Sequence, residues 1–124
     1  MTNRIEFDTA ESGLRAVIKD YQEIALRVIW AGPESLGSRV VWDRVNAELK
    51  PNTISQASVI NFLESMREAG VLKGVEKTGK DGHRWIYSPA MNESEFKQHI
   101  ARTILESLMR DFPEETAEAV KKIY

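Results

Sequence analysis

Residues 54–88, ISQASVINFLESMREAGVLKGVEKTGKDGHRWIYS, contain the change of hydrophobic pattern that decides the fold. The first half of this stretch places Val59, Phe62, Leu63 and Met66 at i, i+3, i+4 and i+7, the spacing of one helical face. After them the pattern becomes extended, with two short β-prone runs around a glycine-rich basic loop. The stretch therefore predicts one helix followed by a β-hairpin.

The ends of these elements are marked by residues with clear local preferences. Ser55 is a good N-cap and Gly70 a good C-cap, so the helix is predicted between them. The hairpin strands are predicted over residues 71–77 and 84–88. The loop between them, residues 78–83, is longer than a two-residue turn, so we expect its tip to be mobile.

Two further helices are predicted upstream of this stretch. Apolar side chains recur at three- and four-residue spacing over residues 14–30, and the Gly-Pro pair at residues 32–33 ends that pattern. Ser38 is a suitable N-cap for a second helix over residues 39–49, which Pro51 stops.

Downstream, residues 92–112 show another strong helical pattern that Pro113 breaks, and residues 114–123 predict a short polar last helix. The order predicts a mainly α fold with a small β-hairpin, namely a winged helix-turn-helix domain with a C-terminal dimerisation helix. We expect a flexible N-terminal arm over 1–12, the DNA-binding domain over 13–90 and a helical dimerisation extension over 91–124.

Length and composition narrow the classes of protein. The 124 residues suit one domain, and the absence of cysteine excludes disulfides, cysteine-ligated zinc and thiol catalysis. The chain shows no secretory signal, and no apolar run approaches the ~20 residues of a membrane span. We therefore expect a cytoplasmic protein that contacts no membrane.

The net charge of −2 is unevenly distributed. Residues 50–90 carry 6 basic and 4 acidic groups, whereas residues 1–49 carry 6 and 8 and residues 91–124 carry 5 and 7. DNA affinity depends on the charge of one face rather than of the whole chain, so this distribution permits DNA binding.

The third helix and the hairpin carry the candidate contacts to double-stranded DNA. Short polar side chains occupy the helix's N-terminal half, which faces bases in helix-turn-helix proteins, and Gln and Asn pair with adenine. Basic groups on the hairpin and at the start of the second helix suit phosphates or a minor groove. The predicted DNA-binding residues are Ser38, Arg39, Ser55, Gln56, Ser58, Asn61, Lys73, Lys77, Lys80, His83 and Arg84.

Each of these residues also has a structural explanation. Ser55 has the position of an N-cap, and Lys80 and His83 have the positions of a solvated loop. Glu64 and Glu68 repel phosphates, so we expect the C-terminal half of this helix to face solvent. DNA contact is favoured because the residues fall together within this order of elements.

The helix over residues 92–112 has a broad apolar face with two explanations. It packs either on the first helix of the same chain or against a second copy, and a symmetric dimer matches a palindromic site. We favour the homodimer, with Phe96, Ile100, Ile104, Leu108 and Phe112 as its interface.

Catalytic and metal-binding patterns are weak. His83 and His99 are the only histidines, and the i, i+4 pair of Glu95 and His99 is a common surface arrangement. No phosphate-binding glycine motif occurs. We expect no enzyme, no metal and no cofactor, and no residue pattern identifies a small-molecule effector.

The chain resembles the penicillinase-repressor family of winged helix-turn-helix regulators over about Tyr21–Phe112. The resemblance rests on Leu26–Trp30, on the run Ile54–Leu63 followed by Gly70-Val71-Leu72, and on Tyr87-Ser88-Pro89 before Glu95-Phe96. Residues 79–84 are also similar to the wing of related archaeal regulators. The resemblance implies a recognition helix in the second of these segments and a C-terminal helix that builds a dimer.

Several positions depart from the family pattern. Its recognition helix commonly reads Thr-x-Arg-Thr, and here that register gives Ser58, Val59, Ile60 and Asn61. A second family arginine falls at Ser65. The operator preference of the family, its cysteine-based metal sensing and its proteolytic switch are therefore not carried over to this chain.

Two hypotheses follow for function. The first is a sequence-specific DNA-binding transcriptional regulator, a homodimeric repressor that reads the major groove with residues 55–69 and the backbone or minor groove with wing residues 73–86. The alternative is a winged-helix protein–protein interaction module without specific DNA binding, which the net negative charge and Glu64 and Glu68 would suit.

Overall fold

The computed structural model describes residues 5–32, 34–79 and 82–124, with His83 described by its backbone alone. Lys80, predicted to bind DNA, therefore lies outside the described residues. The described part folds as α1 Asp20–Ala31, β1 Leu36–Gly37, α2 Ser38–Leu49, α3 Gln56–Glu68, β2 Leu72–Gly79, β3 Gly82–Pro89, α4 Glu93–Asp111 and α5 Pro113–Ile123. This order confirms the mainly α winged helix-turn-helix fold with a C-terminal helical extension.

The first helix begins later than its apolar pattern predicts. Residues Gly13–Ala16 form a separate 3-10 turn, in which Gly13 has a φ of +63°. The chain is extended at Lys19, whose backbone N–H donates to the Gln22 side chain at 2.9 Å. This cap starts α1 at Asp20, so the predicted continuous helix from Leu14 is wrong.

Residue types at the other helix ends behave as predicted, with one exception. Ser55 caps α3 by accepting from the Ser58 N–H at 3.1 Å, and Gly70, with a φ of +82°, follows its end. Asn92 caps α4 in a reciprocal pair with Glu95. Ser38 is the exception, because it is the first residue of α2 and Gly37 holds the N-cap position.

The sheet has three antiparallel strands in the order β1-β3-β2, rather than the two of the predicted hairpin. The added strand, β1, is only two residues long and pairs Leu36 with Tyr87. The β2–β3 ladder continues to the pair Gly79–Gly82, so the connection has two residues and the predicted longer loop is wrong. The ladder lengthens because strand pairing extends through residues that sequence preference assigns to a loop.

One hydrophobic core joins α1, α2, α3, the sheet and the start of α4. The core consists of buried apolar residues, and those within each helix recur at three- and four-residue spacing. The buried set is Leu14, Ala25, Leu26, Ile29, Val41, Val45, Val59, Phe62, Leu63, Val71, Leu72, Tyr87, Phe96 and Ile100.

The turn between α2 and α3 is held by side chains of α2. Trp42 donates its indole N–H to the Ile54 carbonyl at 2.7 Å. Asn46 accepts from the Ile54 N–H at 2.8 Å and donates to the same carbonyl at 3.3 Å. These bonds fix where α3 begins, and therefore the direction in which its N-terminal half points.

The C-terminal extension is anchored at both ends of α4. At its start, Trp30 of α1 lies 5.9 Å from Phe96, centroid to centroid, and donates its indole N–H to the Met91 carbonyl at 2.9 Å. At its end, Pro113 breaks the helix as predicted and becomes the first residue of α5. The Thr116 hydroxyl donates to the Leu108 carbonyl at 3.2 Å, which joins α5 to the last turn of α4.

We expect Asn46→Ala to destabilise the fold by about 1–3 kcal/mol, because it leaves the backbone N–H of half-buried Ile54 without its side-chain partner, whereas the Ile54 carbonyl keeps the bond from Trp42. Chemical denaturation measures the change. Asn61→Ala is the matched control, since Asn61 is exposed on α3, and it should alter the free energy of unfolding by less than about 0.5 kcal/mol. Equal losses in the two variants would show that the turn is not fixed by Asn46.

Candidate nucleic-acid interface

The outward face of α3 presents two amides that make no hydrogen bond within the described part of the chain. They belong to Gln56, which is half-buried at the first turn, and Asn61, which is exposed. In contrast, the hydroxyls of Ser55 and Ser58 lie 2.8 Å apart and bond to each other. Among the four polar α3 residues predicted to contact DNA, Gln56 and Asn61 therefore have side chains available for a ligand.

A groove of about 710 Å³ lies between α2, α3 and β3. It brings together four of the predicted DNA-binding residues: Ser38 and Arg39 from the start of α2, Gln56 from α3 and Arg84 from β3. The other lining residues were not predicted to belong to the site, and they are Gly37, Val40, Asp43, Ile60, Trp85, Ile86 and Tyr87. Their position depends on β1, whose end brings the start of α2 beside β3.

The wing carries the remaining predicted contacts. Lys77 and Arg84 are cross-strand partners and both are exposed. Lys73 shares the face of Lys77 because alternate residues of a strand point to the same side. Neither lysine lines the groove itself, but Lys77 lies directly across the ladder from Arg84, which does.

In the part of the chain that the structure describes, the cations of the predicted site are not ion-paired, unlike several other cations of the molecule. Arg39, Lys73, Lys77 and Arg84 form no ion pair within the ranges that the structure describes. Among the described residues, the cations held in intramolecular ion pairs are Arg27, Arg67, Lys97, Arg102 and Arg110. The four site cations therefore keep their hydrogen-bond donors for an external anion.

A side-chain clasp connects α3 to the wing. Glu64 accepts a hydrogen bond from the hydroxyl of buried Tyr87 and forms an ion pair with Arg67 at 2.8 Å. The Arg67 guanidinium also lies 4.4 Å from the centre of the Trp85 ring. A Cβ at Gly74 would clash with Arg67 Cδ, so the absence of a side chain at Gly74 makes room for the arginine.

The clasp corrects the prediction that the C-terminal half of α3 faces solvent. Glu68 is exposed, but Glu64 is partly buried and has two partners. The bond from Arg67 lowers the pKa of Glu64, and the bond from Tyr87 adds to that effect. Burial, together with the neighbouring Glu64 carboxylate, raises the pKa of Tyr87, so its hydroxyl stays protonated and donates.

The predicted dimer residues occupy two different environments. Phe96 and Ile100 are buried in the chain's own core, as the packing alternative had it. Ile104 is half-buried, whereas Leu108 and Phe112 are 40% and 56% exposed. The other large apolar side chains exposed in the extension are Leu105, Met109, Val120, Ile123 and Tyr124.

An apolar groove of about 550 Å³ runs beside this exposed set. Its walls come from three parts of the chain, namely the N-terminal segment, α4 and α5, with Phe7, Leu105 and Val120 as an example from each. Val120 and Ile123 give α5 an apolar side, so the prediction of a polar last helix is too simple. Within the predicted N-terminal arm, Ile5 packs against the core and the Asp8 N–H donates to the Ala16 carbonyl at 2.7 Å.

Among the described residues, no group of three or more His, Cys, Asp or Glu side chains is arranged to hold a metal ion. None of the described helices is both long enough and apolar enough to cross a membrane.

Comparison with known proteins identifies one family. Residues 18–123 match the family described as penicillinase repressor, and this match covers nearly the whole chain. No curated protein matches the chain.

We expect Glu64→Gln to lower the free energy of unfolding by about 1 kcal/mol at pH 7, because the partly exposed pair with Arg67 is lost. The pKa of Glu64 is lower in the folded than in the unfolded protein. Ionised Glu64 therefore contributes its full stabilisation above the unfolded pKa of about 4.3, and this stabilisation is lost as the pH falls through the folded pKa. The variant should therefore lose less stability than the wild type between pH 5 and acid unfolding.

Glu68→Gln is the matched control, since it removes the same charge from an exposed position of the same helix. Denaturation at a series of pH values measures all three proteins. An acid limb that changes equally in both variants would contradict a specific role of the clasp.

Proposed function

This chain belongs to the penicillinase repressor family, and from that premise we propose that it is a homodimeric, sequence-specific DNA-binding transcriptional repressor. In this proposal, α3 enters the major groove of double-stranded DNA while the wing lies along the backbone or an adjacent minor groove. Family membership carries the regulatory role, and the geometry of the groove between α2, α3 and β3 supports the details.

The observation that carries the DNA-binding mode is a set of side-chain donors that have no partner among the described residues. Gln56 lines the groove with the cations Arg39 and Arg84, and Asn61 offers a second amide on the exposed face of α3 outside the groove. In DNA recognition, base contacts specify the sequence and phosphate contacts fix the register of the protein on the duplex. The arrangement supplies both kinds of contact on adjoining elements.

The dimer is supported by the exposed apolar residues of the extension. Leu105, Leu108 and Met109 on α4 are all at least 40% exposed, and Val120 and Ile123 continue the apolar surface on α5. A contiguous apolar surface of this kind marks an interaction site. Packing it against the same surface of a second copy gives a two-fold symmetric dimer, and the two α3 helices then read the two halves of a palindromic operator.

Repression requires no chemistry in this scheme. A dimer bound across a promoter excludes the transcription machinery by occupying the same DNA. Phe96 and Ile100 serve the scheme indirectly, because their burial against the core holds α4 in a fixed position relative to α3.

We expect Asn61→Ala to cost about 1–3 kcal/mol on the preferred duplex and little on random DNA, because it removes a base contact. Arg84→Ala should weaken binding to all sequences and reduce the salt slope by about one, because it removes a phosphate contact. Fluorescence anisotropy on selected and scrambled duplexes at several salt concentrations measures both variants.

Arg15→Ala is the charge-matched control, since Arg15 is exposed in the 3-10 turn and belongs to neither α3 nor the wing. It should leave affinity and salt slope unchanged. Failure of the wild type to retain any duplex at low salt would reject the DNA-binding proposal and favour the protein-interaction alternative.

We expect the double variant Leu105→Glu with Leu108→Glu to sediment as a monomer in analytical ultracentrifugation, because the charges would be buried unpaired at the interface. Arg110→Glu is the control on the opposite side of α4, and it should remain dimeric. A dimer that survives the double variant would place the interface elsewhere on the molecule.

A further inference from the structure

We propose that the reading surface of α3 is built for A·T base pairs, with Ile60 and Ala57 contacting thymine methyl groups beside adenines read by Gln56 and Asn61. The inference rests on the proposed function and goes beyond it by naming the class of sequence and two specificity-determining residues. Ile60 and Ala57 would act by apolar contact, and the amides by hydrogen bonding.

The first argument is that the first half of α3 itself carries no cation that can read guanine, since the groove cations Arg39 and Arg84 come from α2 and β3. Arg and Lys bonded to guanine O6 and N7 are the commonest specific contacts in the major groove. Residues 51–66 contain neither Arg nor Lys, so the exposed first half of α3 has no such group. The only basic residue within α3 is Arg67, and Glu64 and Trp85 hold it against the wing.

The second argument is the apolar character of the groove wall. Ile60 is half-buried and lines the groove together with Val40, which is 40% exposed, and Ile86. Phosphates and most base-edge atoms are polar and gain nothing from these side chains. The thymine C5-methyl is the apolar group that a base pair presents in the major groove, and it is the group that fits this wall.

The third argument is the pairing of amide and apolar side chains along α3. Gln56 with Ile60 and Ala57 with Asn61 are each separated by four residues, so each amide neighbours an apolar group on the helix surface. Cβ atoms at this spacing lie about 5–6 Å apart, which spans one to two base-pair steps of about 3.4 Å. Adenine next to thymine presents the complementary pair of groups at that distance.

The test begins with selection of bound duplexes from a random library by the full chain. The inference predicts an enriched motif whose contacted positions are A·T pairs. A motif with guanine at the contacted positions would overturn the inference and leave the proposed function standing. No enrichment of any motif would instead reject the proposed function itself.

The methyl contacts are then tested on the enriched duplex with thymines replaced one at a time by deoxyuridine, which removes only the C5-methyl. The wild type should lose about threefold to fivefold in affinity at each contacted thymine. Ile60→Ala should bind more weakly and lose the sensitivity to the thymine methyl at one position. Ile60→Val, a milder change, should lose part of that sensitivity, and it serves as the test if the alanine variant folds poorly. Arg84→Ala is the control that should keep the full sensitivity, and equal affinity of the wild type for thymine and uracil duplexes would refute the methyl contacts.

Discussion

The hydrogen bond from buried Tyr87 to Glu64 is the constraint on which the candidate DNA surface depends. It joins the last strand of the wing to the C-terminal half of α3, and Glu64 in turn holds Arg67 above Trp85. The groove between α2, α3 and β3 therefore has two of its three walls locked together before any ligand arrives. A surface formed in advance loses less conformational entropy on binding than one that the ligand has to order.

The same clasp divides the charged groups of the molecule by role. Arg67 is committed to internal contacts, whereas Arg39 and Arg84 keep their donors at the edge of the groove. The first half of α3 carries only amide, small hydroxyl and apolar side chains. Net negative charge elsewhere in the chain is compatible with the proposed DNA binding, because affinity depends on the charge of the face proposed to meet the duplex rather than on that of the whole chain.

Much of this arrangement could be predicted from the sequence. The parts that could not be predicted have one physical reason in common. Caps and breakers placed α3 and α4 correctly, because Ser55, Gly70, Asn92 and Pro113 act through bonds to neighbouring residues. The start of α1, the strand β1 and the length of the wing were wrong or missed, because cooperative pairing and a side-chain cap override weak local preferences there. Ile60 and Arg67 were missed as site residues since their roles come from contacts with other elements, and only Gly74 in a β-prone run hinted at a close approach.

The central claim is that two α3 helices of a dimer lie in successive major grooves of DNA. The chain has no cysteine, so Glu68→Cys adds a single attachment point on the exposed outward face of α3 for an iron chelate that cleaves nearby DNA. The account predicts two clusters of cleavage on the selected duplex, related by two-fold symmetry and separated by about one helical turn or a multiple of it. Cleavage spread evenly along the duplex, or cleavage no stronger than that from the same chelate at Arg15→Cys, would contradict it.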